Sequence, residues 1–333
     1  MTQQRRVLVT GGAGFIGANL CRDLAAAGDV ERIVVLDDLS TGLAENLSGV
    51  QRVEFVQGSI LDPGKLAEAC RGCDAIVHLA ARPSVPRSLE DPLATHEVNA
   101  TGTLRVLEAA RHAGTAHVVV ASSSSVYGAN RSLPAKEKGV TLPLSPYGAS
   151  KLAAEAYALA YQRSFGLPVL ALRFFNVFGP LQRADHDYAA VVPAFVRAAL
   201  AHTPLPVHGD GQQTRDFTYV KSVTRVLGAA LRRSTSYPGP VNLAFGTRRS
   251  VLDLVDALQP VFGEPLPVRH LDPRPGDVRD SQADQTRLRS LFPELDPVPL
   301  LEGLAETVRW FRSTGQVPEP IARSDTLSSG ALA

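Results

Sequence analysis

Residues 7–17 constrain this chain more than any other stretch. Val7-Leu8-Val9-Thr10 is a short apolar run, broken by Gly11-Gly12-Ala13-Gly14-Phe15-Ile16-Gly17 and followed by an amphipathic stretch from Ala18 to Ala27. Strand, glycine turn and helix in that order make a phosphate-binding loop. Gly11 permits the tight turn, Gly14 lets backbone approach a pyrophosphate, and Gly17 lets the helix pack on the strand. The helix N-terminus then faces the anion. The next apolar run, Ile33-Val34-Val35-Leu36, ends in Asp37, at the spacing of the carboxylate that holds an adenosine ribose. Asp38 follows, and two adjacent acids repel a 2′-phosphate, so the pattern predicts NAD rather than NADP.

The alternation continues. Strands are predicted at Val53-Glu54-Phe55-Val56, Ala75 to Leu79, His117 to Ala121 and Val169 to Phe174, with a long helix from Thr95 to His112. This predicts an α/β fold, a Rossmann-type doubly wound parallel sheet covered on both faces, over residues 1–178. After Phe178-Gly179-Pro180 prolines become frequent and the alternation stops. A smaller C-terminal α/β substrate domain is predicted over 179–312, with Val241-Asn242-Leu243 as a strand returning to the first domain. From Ser313 the chain is Pro-, Ser- and Ala-rich, which predicts a flexible tail over 313–333.

Charge narrows the partners. A net charge of +1 with 20% charged residues and no basic stripe argues against nucleic acid and a membrane surface. No apolar run approaches a membrane span. Met1 to Arg6 is polar and leads straight into Val7, which predicts no leader peptide. Three cysteines, Cys21, Cys70 and Cys73, fit a reducing cytoplasm. Cys70-Arg71-Gly72-Cys73 lacks a second ligand pair, so it reads as a helix end before a strand, with no metal site. His78, inside an apolar strand, reads as a structural histidine.

Two stretches carry candidate chemistry. Tyr147-Gly148-Ala149-Ser150-Lys151 precedes an Ala-rich helical run, Leu152 to Ser164. In the first turns of that helix, residues four apart share one face, and the ammonium then lowers the phenol pKa, making a general base. Ser122-Ser123-Ser124-Ser125-Val126-Tyr127-Gly128 leaves the carboxyl end of strand five, where ligands of such sheets bind.

With these motifs, His78-Leu79-Ala80-Ala81 and Arg173-Phe174-Phe175-Asn176, the chain from Val7 to about Arg312 resembles an extended short-chain dehydrogenase/reductase. It is most similar to the nucleotide-sugar group of 4-epimerases, 4,6-dehydratases and uronate decarboxylases. The resemblance implies that Tyr147, Lys151 and Ser123 are catalytic. It implies that NAD is held by the glycine turn with Phe15 and Ile16, by Asp37 and Asp38, by Ser59 and Ile60, by Leu79, Ala80 and Ala81, and by Tyr147 and Lys151. Ser59 replaces an acid that usually meets the adenine. A UDP-sugar would be bound by Ser123, Ser124, Ser125, Asn176 and Arg183. Arg215 and Arg274 would clamp the diphosphate and Asp277 would take the ribose hydroxyls. Two guanidinium groups suit a diphosphate because their charged bonds can be bidentate.

The same resemblance implies epimerisation at C4. Dehydratases carry Asp-Glu after the catalytic hydroxyl and decarboxylases usually Glu at the second position, whereas here Ser124 and Ser125 follow Ser123. Arg183 stands where members acting on uronic acids tend to carry Arg, which favours UDP-glucuronate and UDP-galacturonate. Ser281, at the gatekeeper position, leaves room for an N-acetyl group, so UDP-N-acetylglucosamine and UDP-glucose stay open, then a uronate decarboxylase. A NAD-sensing regulator without turnover is the non-enzyme alternative. The resemblance also implies a homodimer built on helices Thr95 to His112 and Ser150 to Ser164.

Overall fold

The computed structural model describes residues 5–28, 30–184, 189–273 and 278–314. The apolar runs form strands β1 (Arg5–Thr10), β2 (Val30–Asp37), β3 (Val53–Gln57), β4 (Ala75–His78), β5 (His117–Ser123) and β6 (Val169–Phe174), and β7 (Val241–Leu243) returns from the second half. All pair in parallel, in the order β7-β6-β5-β4-β1-β2-β3. This is the doubly wound Rossmann-type sheet. Its order reverses between β1 and β4, which opens a crevice at the carboxyl edge.

Eight helices of eight residues or more occur among the described residues: α1 (Phe15–Ala27), α2 (Pro63–Cys70), α3 (Gly102–Ala113), α4 (Pro146–Phe165), α5 (Val191–Leu200), α6 (Val220–Arg233), α7 (Val251–Phe262) and α8 (Leu300–Ser313). Side chains alternate across each strand, so each face of the sheet has its own core. Val7, Val9, Ile33 and Val35 meet Leu20 and Leu24 of α1 and Val223, Val226 and Leu227 of α6. Leu8, Val34, Leu36 and Ile76 meet Leu66 of α2, Val106 and Leu107 of α3 and Ala158 of α4. A separate core joins Phe195 of α5, Leu254 and Leu258 of α7 and Leu304, Val308 and Phe311 of α8. The chain beyond 178 therefore covers the sheet as well as building its own layer, through α6 and β7.

Three local features depart from the simple pattern. The helical stretch through 95–112 is not continuous α-helix, because Glu97–Thr101 winds as a π turn before α3. Helix α4 begins at Pro146, so Tyr147 and Lys151 lie inside it; Ser145 Oγ accepts from Gly148 N at 3.1 Å and Pro146 takes the first turn. Strand β5 includes Ser122 and Ser123, and only Ser124–Val126 turns as a short 3-10 segment. Cys70 closes α2 ahead of β4, and burial pushes its thiol up to about 12. No group of three His, Cys, Asp or Glu side chains able to hold a metal occurs among the described residues, and no helix there is long and apolar enough to cross a membrane. The tail expected over 313–333 lies outside the described residues beyond Thr314.

One buried ion pair locks the carboxyl edge. Arg173 and Glu155 are each 3% exposed. Arg173 Nε and Nη2 donate to the Glu155 carboxylate at 2.9 and 2.7 Å, and Ser122 Oγ donates to it at 2.7 Å. The guanidinium also lies over the Tyr127 ring, 4.7 Å from its centroid. This joins β5, β6 and α4. Removing one partner strands the other charge. Glu155→Ala is expected to lower stability by about 3–5 kcal/mol in urea unfolding; a loss under about 1 kcal/mol would show that the pair is not the lock described.

Candidate active site

The glycine turn is built for close approach. Gly11 has φ 70°, and a Cβ there would meet Ala80 N at 2.7 Å. A Cβ on Gly17 would lie 2.3 Å from Gly11 O. At Gly14 it would meet only Gly11 O, at 3.2 Å, so this flank is open. Gly14 caps α1 without any side-chain hydrogen bond, which leaves the first-turn N–H groups around Phe15 and Ile16 to a ligand. Asp37, at the end of β2, accepts from Ala13 N at 3.0 Å and Leu39 N at 2.9 Å, and each carboxylate oxygen keeps a lone pair for a ribose hydroxyl. Burial raises its pKa while these bonds oppose the rise. Asp38 is exposed beside it. The loop after β4 is tied to the turn by Leu79 N to Thr10 O at 3.1 Å. Ser59 Oγ accepts from Leu61 N at 3.1 Å, and the Ile60 side chain is buried in the core, so Ile60 can offer a ligand only main chain.

Ser123, Tyr147 and Lys151 converge at the carboxyl edge of β5. Ser123 Oγ accepts from Ser125 N at 3.1 Å, and Ser123 lies near enough to the Tyr147 phenol to lower its pKa. Lys151 is 5% exposed, and burial pulls its amine down to about 8. Its amine is not among the buried side-chain atoms left without a partner in the described residues. An uncapped helix N-terminus, an open glycine flank and the Asp37 carboxylate fit a dinucleotide, whose pyrophosphate and ribose hydroxyls they would bond. The expectation that Lys151 lowers the Tyr147 pKa needs correction. Burial raises that phenol, and Ser123 is what opposes it. Desolvation is the larger cause and Lys151 is not among the groups that lower that pKa, so without ligand Tyr147 is protonated at neutral pH.

Asn99, in the π turn, is a positioning residue that sequence reasoning missed. It is 1% exposed, its Oδ1 accepts from Arg82 N at 2.7 Å, and its Nδ2 donates to Ser150 Oγ at 3.0 Å. Ser150 Oγ in turn donates to Tyr147 O at 2.8 Å. The available signal was an amide amid Val98, Thr101 and Gly102, poor company for a regular helix.

Two adjoining clefts lie against this edge. The smaller, about 100 Å³, is lined by Ser124, Ser125, Asn176, Arg215, Asp280 and Ser281 among others. The larger, about 270 Å³, shares Asn176 and Arg215 and adds Phe178, Phe195 and His208. Arg215 Nη1 donates to Thr214 O at 2.8 Å and Arg279 O at 3.0 Å, which fixes the guanidinium at the junction. Arg183 is exposed and lines neither cleft. Arg274 and Asp277 lie outside the described residues.

Residues 7–244 match the model of the NAD dependent epimerase/dehydratase family. A UDP-glucose 4-epimerase of Mycolicibacterium smegmatis is 40% identical over 320 residues, covering 93% of this chain and 100% of that protein. Among solved structures, a UDP-N-acetylglucosamine 4-epimerase from Methanobrevibacter ruminantium in complex with UDP-N-acetylmuramic acid is similar with a TM-score of 0.87 and 36% identity, over 93% of this chain and 99% of that one. A UDP-glucuronic acid 4-epimerase from Bacillus cereus, in complex with UDP-glucuronic acid and NAD, gives a TM-score of 0.84 and 32% identity over 93% and 99%.

Lys151 has a measurable energetic signature. At pH 7 its buried charge opposes folding, so ligand-free Lys151→Met is expected to exceed the wild type in stability by about 2–3 kcal/mol. Because the folded pKa lies below the unfolded one, the unfolded chain holds the proton more firmly between about 8 and 10.5. Wild-type stability from this group therefore rises with pH across that window, and the gap to the variant closes. Urea unfolding at pH 7 and pH 10 checks this; a variant less stable at pH 7 would contradict it.

Proposed function

The chain belongs to the NAD dependent epimerase/dehydratase family, and from that premise we propose that it is a UDP-sugar 4-epimerase whose favoured pair is UDP-glucuronate and UDP-galacturonate. The observation that carries the substrate class is the smaller cleft. Ser124 and Ser125 present hydroxyls there, beside Asn176 and Arg215. Its one described carboxylate, Asp280, is already engaged by Thr214 Oγ1 at 2.6 Å and Arg248 Nη2 at 2.9 Å. Such a wall supplies no free acid for elimination or decarboxylation and suits a carboxylate-bearing sugar. Arg183 is the residue whose position in the sequence favours a uronate, although it lines neither cleft. Ser281 leaves space at the same wall, which supports UDP-N-acetylglucosamine as the second reading.

NAD, held by the Gly11 to Gly17 turn, Asp37 and Lys151, supplies the hydride acceptor and donor for C4. Tyr147 takes the proton of the sugar 4-hydroxyl and later returns it. Ser123 bonds the same oxygen and relays that proton. Lys151 brings positive charge to the face Tyr147 occupies, which works against the desolvation that keeps the phenol protonated. Arg215, with Arg274, holds the diphosphate while the 4-keto sugar turns its other face, and Asp277 holds the uridine ribose. Exposed Tyr157 and Phe165 on α4 fit the pairing of two copies as a homodimer.

The test is parallel incubation of purified protein, without added NAD, with UDP-glucuronate, UDP-N-acetylglucosamine and UDP-glucose, followed by proton NMR. UDP-galacturonate growing to an equilibrium mixture is the expected result. UDP-xylose, or change only in another tube, overturns the uronate reading. Tyr147→Phe is expected to lower turnover by about 10²–10⁴-fold; a NAD-sensing regulator would show no turnover to lose.

A further inference from the structure

His78 is a buried imidazole that the reaction above does not use. It is 2% exposed, on β4, between two buried hydroxyls, Thr10 at 0% and Thr103 at 1%. Ala80 N donates to Thr10 Oγ1 at 3.4 Å. Thr10 Oγ1 is 2.7 Å from His78 Nδ1, and His78 Nε2 is 2.9 Å from Thr103 Oγ1. Thr103 Oγ1 donates to Asn99 O at 2.6 Å. A hydroxyl has one proton, and Thr103 gives it to Asn99 O, so Thr103 can only accept from His78. His78 Nε2 therefore carries the ring proton. In the neutral ring Nδ1 is then an acceptor, and Thr10 must donate to it. Burial, with the Lys151 charge nearby, holds His78 down to about 3, so the ring is neutral.

The result is a chain of bonds with one polarity. It runs from Ala80 N–H through Thr10, His78 and Thr103 to the carbonyl of Asn99. One end is the loop packed against Gly11. The other is the π turn whose Asn99 side chain holds Ser150, and through it Tyr147 O. A packing role would need only the ring's shape. Here both ring nitrogens meet buried hydroxyls, so removing either hydroxyl deprives the ring of a polar partner.

We propose that His78 is a positioning residue that couples the dinucleotide cradle to the first turn of α4, so that Tyr147 and Lys151 are placed only when the cradle is. The inference rests on the reading of Tyr147 as proton carrier, and it concerns this chain's own residues. Thr103 is the place to test it, because among the described residues its hydroxyl bonds only His78 and Asn99 and its bonds make no part of the glycine turn. Valine keeps its shape and removes the hydroxyl.

Three quantities are measured on Thr103→Val, His78→Phe and the double variant: the Kd for NAD by calorimetry on stripped protein, kcat and KM for the UDP-sugar, and the melting temperature. Thr103→Val is expected to weaken NAD binding by about tenfold, within the usual range for coupled sites. It is expected to lower kcat similarly and leave KM within about twofold. The double variant is expected to be no worse than His78→Phe, because both act on one chain. NAD affinity and kcat within about twofold of wild type in a folded Thr103→Val overturn the proposal, and so do additive losses in the double. If His78→Phe does not fold, Thr103→Val decides alone. If the wild type turns over no UDP-sugar, the functional reading fails, while the NAD affinity of Thr103→Val still tests the coupling.

Discussion

A lysine buried at the edge of a parallel sheet, its amine pulled down to about 8 by desolvation, is the constraint on which this site depends. An ammonium buried so opposes folding. It stays because the helix carrying it is pinned from several sides. Ser145 and Pro146 start α4 at a defined residue. Asn99 holds Ser150, one position before Lys151. Glu155, one turn beyond, is bound to Arg173 and Ser122. The two cores on either face of the sheet supply the stability that this arrangement draws on. A group kept charged though buried is poised for a ligand, and the same desolvation that holds Lys151 low holds Tyr147 high.

Much of this was legible in the sequence for a physical reason. Parallel strands buried on both faces read as continuous apolar runs, so β1 to β6 stand out, and the glycine turn needs residues that no other side chain can replace. Val241 to Leu243 was short but apolar enough to mark a returning strand, and it pairs with β6. His78 as a structural histidine was also legible, because an imidazole inside a buried strand must find partners; those partners, Thr10 and Thr103, were not.

What stayed hidden depends on distant contacts. Amphipathicity says that α6 buries one face, not that it buries it on the sheet beside α1. The π turn at 97–101 has no clear local code, so Asn99 looked like an ordinary helical position. Spacing placed Lys151 near Tyr147, but the balance of charge against desolvation requires knowing how deeply both are buried. Arg183 illustrates the opposite case: a residue type and position that point to a carboxylate, on a side chain that lines neither cleft.

In the mechanism proposed, the hydrogen on the sugar C4 leaves and returns within one bound molecule while Tyr147 handles only the oxygen-borne proton. The most direct measurement uses a UDP-sugar substrate deuterated at C4, turned over in ordinary water beside an unlabelled UDP-sugar of different mass, with products read by mass spectrometry and NMR. Deuterium is expected to stay on C4 of the epimer, with none in solvent and none crossed to the unlabelled sugar. Loss of the label to water would mean that C4 is deprotonated as carbon acid, and the roles assigned to Tyr147, Ser123 and Lys151 would be wrong.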